Sequence, residues 1–273
     1  MPDLLRRQIA PISDEAWEEI EEVAKKTIKS QLSGRAVVDV EGPHGWKHAA
    51  VNTGRLDIAA NQPIPGVHWG TRQVLPLMEV RVPFHLDQME LDSITRGVKD
   101  PDFNDLEKAA RQTALFEEQA IFNGIPGTPI KGIIPSCSHE AIRLQGGLES
   151  LPHAVASGLK LLQEAGIGGP FHLVLGEAAF FTLMQAIDEG YPIYKVVENL
   201  VEGRIHRSPA LTGGVLLSGR GGDFELTIGQ DISIGYAAHD KEQVELYFTE
   251  SFTFRVLETA ACVPIELQQE PQI

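Results

Sequence analysis

AAVNTGRLDIAANQPIPGVHWGTRQVLPLMEVRVP, residues 49–83, is the stretch on which the reading of the fold turns. Strand-like runs at 55–59 and 74–82 flank Asn61-Gln62-Pro63-Ile64-Pro65-Gly66, which carries two prolines and a glycine and no helical period. The pattern predicts a long hairpin arm. A two-stranded ribbon has no second layer to cover its faces and leaves its edges unpaired, so such an arm needs a neighbour.

On the N-terminal side, Leu4, Leu5 and Ile9 make a short apolar stripe before Pro11. Ser13 then stands where an N-cap belongs, ahead of a helix predicted over 14–32. Trp17, Ile20, Ala24, Ile28 and Leu32 recur every three or four positions along one face, and Gly34 is expected as a left-handed C-cap. Glu15, Glu18, Glu19, Glu21 and Glu22 crowd the first half, and Lys25, Lys26 and Lys29 the second. That order suits the helix dipole and reads as a solvated face. A strand at 35–40 and a turn at 41–46 lead into the arm.

On the C-terminal side, 102–122 is the clearest long helix, with Leu106, Ala109, Ala110, Thr113, Phe116, Ala120 and Ile121 on a broad apolar stripe and Gly124 closing it. Glu117 and Glu118 are adjacent, so they point about 100° apart and do not by themselves make a catalytic carboxylate pair. They read as surface acids flanking the core. Helices are predicted at 150–165, 177–188 and 193–201, with Tyr191-Pro192 between the last two. A buried strand is expected at 171–175, and β segments at 215–217, 224–228, 232–236 and 244–256. The whole is an α+β chain without internal repeats.

The 273 residues carry a net charge of -15, which argues against nucleic acid as the main partner, because phosphate binding needs clustered Lys and Arg. No window approaches the roughly 18 uninterrupted apolar residues of a membrane helix, and the first residues lack the features of a signal peptide. A cytoplasmic protein without a membrane partner is expected. Cys137 and Cys262 lie far apart with no CxxC spacing and read as two unpaired thiols. Cys137 with His139 is the one close pair of soft ligands, and no further ligand lies nearby in sequence. No P-loop, GxSxG, HExxH or GxGxxG motif occurs. The glycine clusters at 166–169 and 220–223 lack the strand-then-helix context of a phosphate cradle. No catalytic or metal residue is assigned, and no enzyme activity is expected.

A series of short motifs, in order, carries a resemblance: Gln8-Ile-Ala-Pro11, Val38-Asp-Val-Glu-Gly-Pro43, Glu90-Leu-Asp-Ser-Ile-Thr-Arg-Gly97, Ala120-Ile-Phe-Asn-Gly124, Lys131-Gly132, Gly190-Tyr-Pro192, Arg220-Gly-Gly-Asp-Phe224, Gly229-Gln-Asp-Ile-Ser-Ile-Gly-Tyr236 and Glu250-Ser-Phe-Thr-Phe254. With these the chain resembles the encapsulin family over nearly its whole length. The resemblance implies a tailed-phage major-capsid-like fold with a peripheral domain, an axial domain and an extended arm. Its segments would be 1–48, the arm 49–83, peripheral 84–134, axial 135–222, and a return to the peripheral domain with a C-terminal tail at 223–273.

It implies further a shell protomer that self-assembles into an icosahedral cage around a cargo enzyme, either a ferritin-like iron-storage protein or a dye-decolorising peroxidase. The cargo's C-terminal docking peptide would bind between the N-terminal helix and the peripheral sheet, which carries over to Ile28, Leu32, Arg35, Asp39, Ile232 and Ile234. The aliphatic members of that set equally fit an ordinary core stripe. The loop Asp188-Glu189-Gly190-Tyr191 would stand at a symmetry axis as a pore, although acids are common in loops for solvation alone. Some members carry a flavin-stacking Trp where this chain has Met89, so no cofactor is carried over. The competing readings are a prophage capsid protein filled with DNA and, as older labels of the family had it, a protease or bacteriocin.

Overall fold

The computed structural model describes residues 4–267 apart from 62, 145, 146 and 189. Helix α1 (Asp14–Gln31) starts as predicted, the Ser13 hydroxyl accepting the Ala16 N–H, and buries Ala16, Trp17, Ile20 and Ala24. Its end differs from the expectation. Leu32 is the C-cap, and Gly34 opens a single 3-10 turn, Gly34–Ala36, without a left-handed φ. What Gly34 supplies is space, since a Cβ there would come within 2.6 Å of the Ile121 Cδ1. The expected strand at 35–40 shrinks to β1 (Asp39–Glu41) because the turn occupies its first half.

The arm is present as β2 (Ala50–Ile58) and β3 (Gly70–Pro76), which among the described residues pair only with each other. Leu56, Ile58, Ile64 and Val74 stand exposed along it. The predicted second arm strand divides at Leu77, whose N–H closes onto the Ala49 carbonyl. Beyond it β4 (Met78–Asp87) leaves the ribbon and buries Phe84 and Leu86. Helix α2 (Gln88–Thr95), which the sequence reading did not assign, is capped by Asp87, whose carboxylate accepts the Met89 and Glu90 N–H groups. Helix α3 (Asn104–Phe122) follows.

Next come α4 (Ile133–Ser136), β5 (Ile142–Arg143), α5 (Leu151–Glu164), β6 (Phe171–Gly176) and α6 (Glu177–Gln185). The predicted helix over 177–188 stops short. In place of its last turn β7 (Ile187–Asp188) and β8 (Tyr191–Pro192) form a small hairpin, with Gly190 at φ 85°. Then α7 (Ile193–Val201), β9 (Glu202–Ser208), β10 (Gly214–Ser218), β11 (Phe224–Ile228), β12 (Ser233–His239), β13 (Gln243–Val256) and β14 (Cys262–Glu266) complete the described chain.

Two five-stranded sheets result. In the first, β13 is the hub. One edge holds β4 from Gln243 to Phe252, while the other holds β12 and then β11, with β1 outside β11. The second runs β5-β14-β10-β6-β9. The chain end expected to stay with the 223–273 return thus adds β14 to the second sheet, antiparallel to β10. There are two apolar cores. In one, α1, α2, β4, β12 and the first half of β13 meet the first half of α3 at Leu106, Ala109 and Ala110; in the other, Ala120, Ile121 and Phe122 pack with the second sheet, α5 and α7, and also with Phe224, Leu226 and Ile228 of β11 and Phe252 and Phe254 of β13. Helix α3 and strand β13 thus run through both.

Candidate functional site: the groove between α1 and β12

Helix α1 and strand β12 do not close on each other along their whole length. Between them lies a groove of about 700 Å³. Ile28 and Leu32 of α1 face Ile232 and Ile234, with Phe248 of β13 behind them; Arg35 and Asp231 also line it. Lys25, Lys29, Arg7 and Glu21 add charge to its lining. Ile28, Leu32 and Ile232 are half-buried and Ile234 is buried, so three aliphatic side chains remain reachable. An apolar trough with charged flanks can take an extended or helical segment whose apolar side chains leave water.

Five of the six expected binding residues thus come together, and Asp39 does not. Its carboxylate accepts the Gly222 N–H and lies beside Gly221, because the parallel pairing of β1 with β11 turns it to the Arg220–Asp223 turn.

Arg35 is less available than a groove residue needs to be. Its guanidinium donates to Glu117 at 2.6 and 2.8 Å, to Glu250 at 2.7 Å and to Asp231 at 2.9 Å. Burial alone would lower its pKa, but the hydrogen bond and charge of Glu117, with Glu250 and Asp231, outweigh that and raise it. Glu117 and Glu118, expected on the surface, are both fully buried. Glu118 accepts from the Ser33 hydroxyl, from the Ser33 and Gly34 N–H groups and from the Ser208 hydroxyl. Burial lifts its carboxyl above the usual range against those bonds. The signal was available: Glu117 sits four residues after Thr113 and four before Ile121, on the apolar stripe itself.

The other wall of the groove was not assigned from sequence. The chain before α1 crosses the open edge of β12, where the Leu5 carbonyl accepts the Tyr236 N–H at 2.8 Å and the Leu4 carbonyl accepts the Tyr247 hydroxyl. The Arg7 guanidinium stacks over Trp17 at 4.2 Å and pairs with Glu21. Leu5 and Arg7 thereby join the groove lining, and the Leu4, Leu5, Ile9 stripe was the hint.

The pore residues lie elsewhere. Asp188, Gly190 and exposed Tyr191 form the β7–β8 hairpin, and Glu189 lies outside the described residues. Met89 is exposed in the first turn of α2. His139 uses its Nε2 on the Ala260 carbonyl at 3.1 Å, and among the described residues no group of three or more His, Cys, Asp or Glu side chains is arranged to hold a metal.

Comparison with known proteins agrees with this architecture. The family described as "encapsulating protein for peroxidase" matches residues 2–253. A type 1 encapsulin shell protein of Rhodococcus erythropolis is 42% identical over 261 residues, covering 96% of this chain and 98% of its own. Among solved structures, the virus-like particle from Pyrococcus furiosus superposes with TM-score 0.65 at 16% identity, over 92% of this chain and 99% of its own. A Mycobacterium phage Adephagia structure gives TM-score 0.58 at 13% identity, over 88% and 91%. The structural likenesses establish a phage-capsid-like α+β fold, and the sequence relatives establish the rest: this chain belongs to the family of type 1 encapsulin shell proteins.

Proposed function

We propose that this shell protein assembles with copies of itself into an icosahedral cage and recruits a cargo enzyme through a C-terminal peptide bound in the α1–β12 groove. The observation that carries the reading is the groove itself: half-buried Ile28, Leu32 and Ile232 left uncovered between two elements whose other apolar residues are packed. Arg35 serves there as a structural clamp on Glu117 and Glu250, and the recognition surface consists of the aliphatic residues with Leu5. The cargo is of the class named in the family description, a peroxidase, or the ferritin-like iron-storage class implied by the resemblance. The shell protein itself contributes containment and access rather than turnover. Its place is the cytoplasm.

Ile232→Asp sets a carboxylate against the apolar face of a bound peptide and weakens capture by at least about 2 kcal/mol, some thirtyfold. The test is co-expression with a reporter protein ending in a short apolar peptide, followed by the reporter-to-shell ratio in purified particles. The expected result is shells of parental size with the reporter lost. Intact shells with unchanged occupancy overturn the assignment of the groove.

A further inference from the structure

Cys137 and Cys262, separated by 125 positions in sequence, are brought together by the docking of β14. Cys137 is the C-cap of the one-turn helix α4, and its side chain lies against the Cys262 main-chain carbonyl, to which it donates. The Cys262 Sγ sits 3.8 Å from the carbonyls of Ile133 and Thr259, under the same turn that Cys137 closes. Just beyond, the Ser138 N–H donates to the Thr259 carbonyl at 3.0 Å and His139 bonds Ala260, so the two backbone segments are already held side by side. Their exposure is unequal. Cys262 is fully buried, while Cys137 is half-buried and reachable by a small solute.

The geometry points to Cys137 as a hydroperoxide-reactive thiol whose oxidised form is resolved by Cys262, giving an intrachain disulfide between the end of α4 and the start of β14.

Thiol chemistry runs the same way. A side-chain hydrogen bond with the Cys262 thiol, distinct from the bond to its carbonyl, lowers the Cys137 pKa first, against burial and with help from the His139 N–H. That bond between the two side chains, and then burial, push Cys262 up. Cys137, half-buried and biased to thiolate, is the attacking sulfur, and Cys262 gives up its proton only as it resolves the oxidised form. In the first step the Cys137 thiolate attacks one oxygen of hydrogen peroxide; the O–O bond breaks, and the leaving hydroxide takes a proton to become water. In the second the Cys262 sulfur attacks the Cys137 sulfenic acid; the S–O bond breaks, and the departing hydroxide takes the Cys262 proton as a second water. Two thiols lose two electrons, the peroxide gains them, and a dithiol reductant reverses the change. Disulfides of intracellular proteins are commonly of this transient, peroxide-responsive kind.

The test uses assembled shells exposed to hydrogen peroxide, then denatured for thiol counting and intact mass. The wild-type chain should go from two free thiols to none, lose the mass of two hydrogens, stay monomeric on a non-reducing gel and recover with dithiothreitol. C262A should stop at a sulfenic acid on Cys137 trapped by dimedone, and C137S should keep Cys262 unmodified. Retention of both thiols in the wild type, an interchain disulfide, or equal oxidation of Cys262 in C137S overturns the proposal. Should C262A fail to fold, peptide mapping of oxidised wild-type protein decides alone, through the presence or absence of a Cys137–Cys262 cross-linked peptide.

Discussion

The guanidinium of Arg35 faces Glu117, Glu250 and Asp231, the first two almost fully buried, so removing the cation leaves these two buried acidic side chains without their partner. Arg35→Met is therefore expected to cost about 3–5 kcal/mol, read as a lower denaturant midpoint. The same cluster sets a pH dependence. Burial first, then the charge of Glu117 and a hydrogen bond with it, hold Glu250 protonated well above the usual carboxylate range, with Arg35 pulling the other way. In the unfolded chain that carboxyl ionises at its ordinary value, so between the two values the native state binds more protons. Its contribution is thus complete below the unfolded value and is lost as pH rises through the folded one. Glu118 shifts in the same direction. Glu250→Gln should flatten the fall in melting temperature as pH rises above the ordinary carboxylate range, measured by calorimetry. An unchanged slope in the variant would assign that fall to other groups.

The ribbon β2–β3 has no layer of its own to cover Leu56, Ile58, Ile64 and Val74, and obligate assemblies typically bury roughly 2,000 Å² or more per interface. We propose that the arm supplies that area by lying on a neighbouring subunit. Removing residues 61–66 with their flanking strands should leave soluble small oligomers on size-exclusion chromatography, and intact cages from that deletion would refute the role. The β7–β8 hairpin poses a separate question, with Asp188 and Tyr191 both exposed on it. At a symmetry axis its carboxylates would be multiplied and would concentrate small cations by focusing a negative potential. Asp188→Asn combined with Glu189→Gln should slow iron oxidation in shells loaded with a ferritin-like cargo at low salt, with the gap closing as ionic strength rises. Equal stopped-flow rates at low salt would remove the hairpin from the entry path.

For the whole molecule the net charge of -15 bears on what a cage can hold. An inner surface drawn from such a chain gains little counterion release from nucleic acid, which leaves protein as the proposed content. Purified particles should therefore show a protein-like 260-to-280 nm absorbance ratio that nuclease treatment does not alter. A ratio typical of packaged DNA would favour a genome-filled capsid. The two cores share helix α3 and strand β13, and the last third of α3 carries the buried Glu117 and Glu118.

Sequence by itself determined the elements whose signals lie within a few turns. The capped stripe of α1, the long α3, the β segments that became β11 to β13 and the uncovered ribbon were all legible, and the ordered motifs were enough for the family. Tertiary structure alone decided which of those residues meet. Glu117 reads as a surface acid until Arg35, 82 positions away, is folded against it. Asp39 reads as a groove residue until β1 pairs with β11 and turns it to Gly222. The N-terminal wall exists only because Leu4 meets Tyr247, 243 positions on. Local periodicity and capping are set by neighbours along the chain, whereas burial of a charge, closure of a groove and pairing of two thiols depend on contacts that only the packed core brings into range.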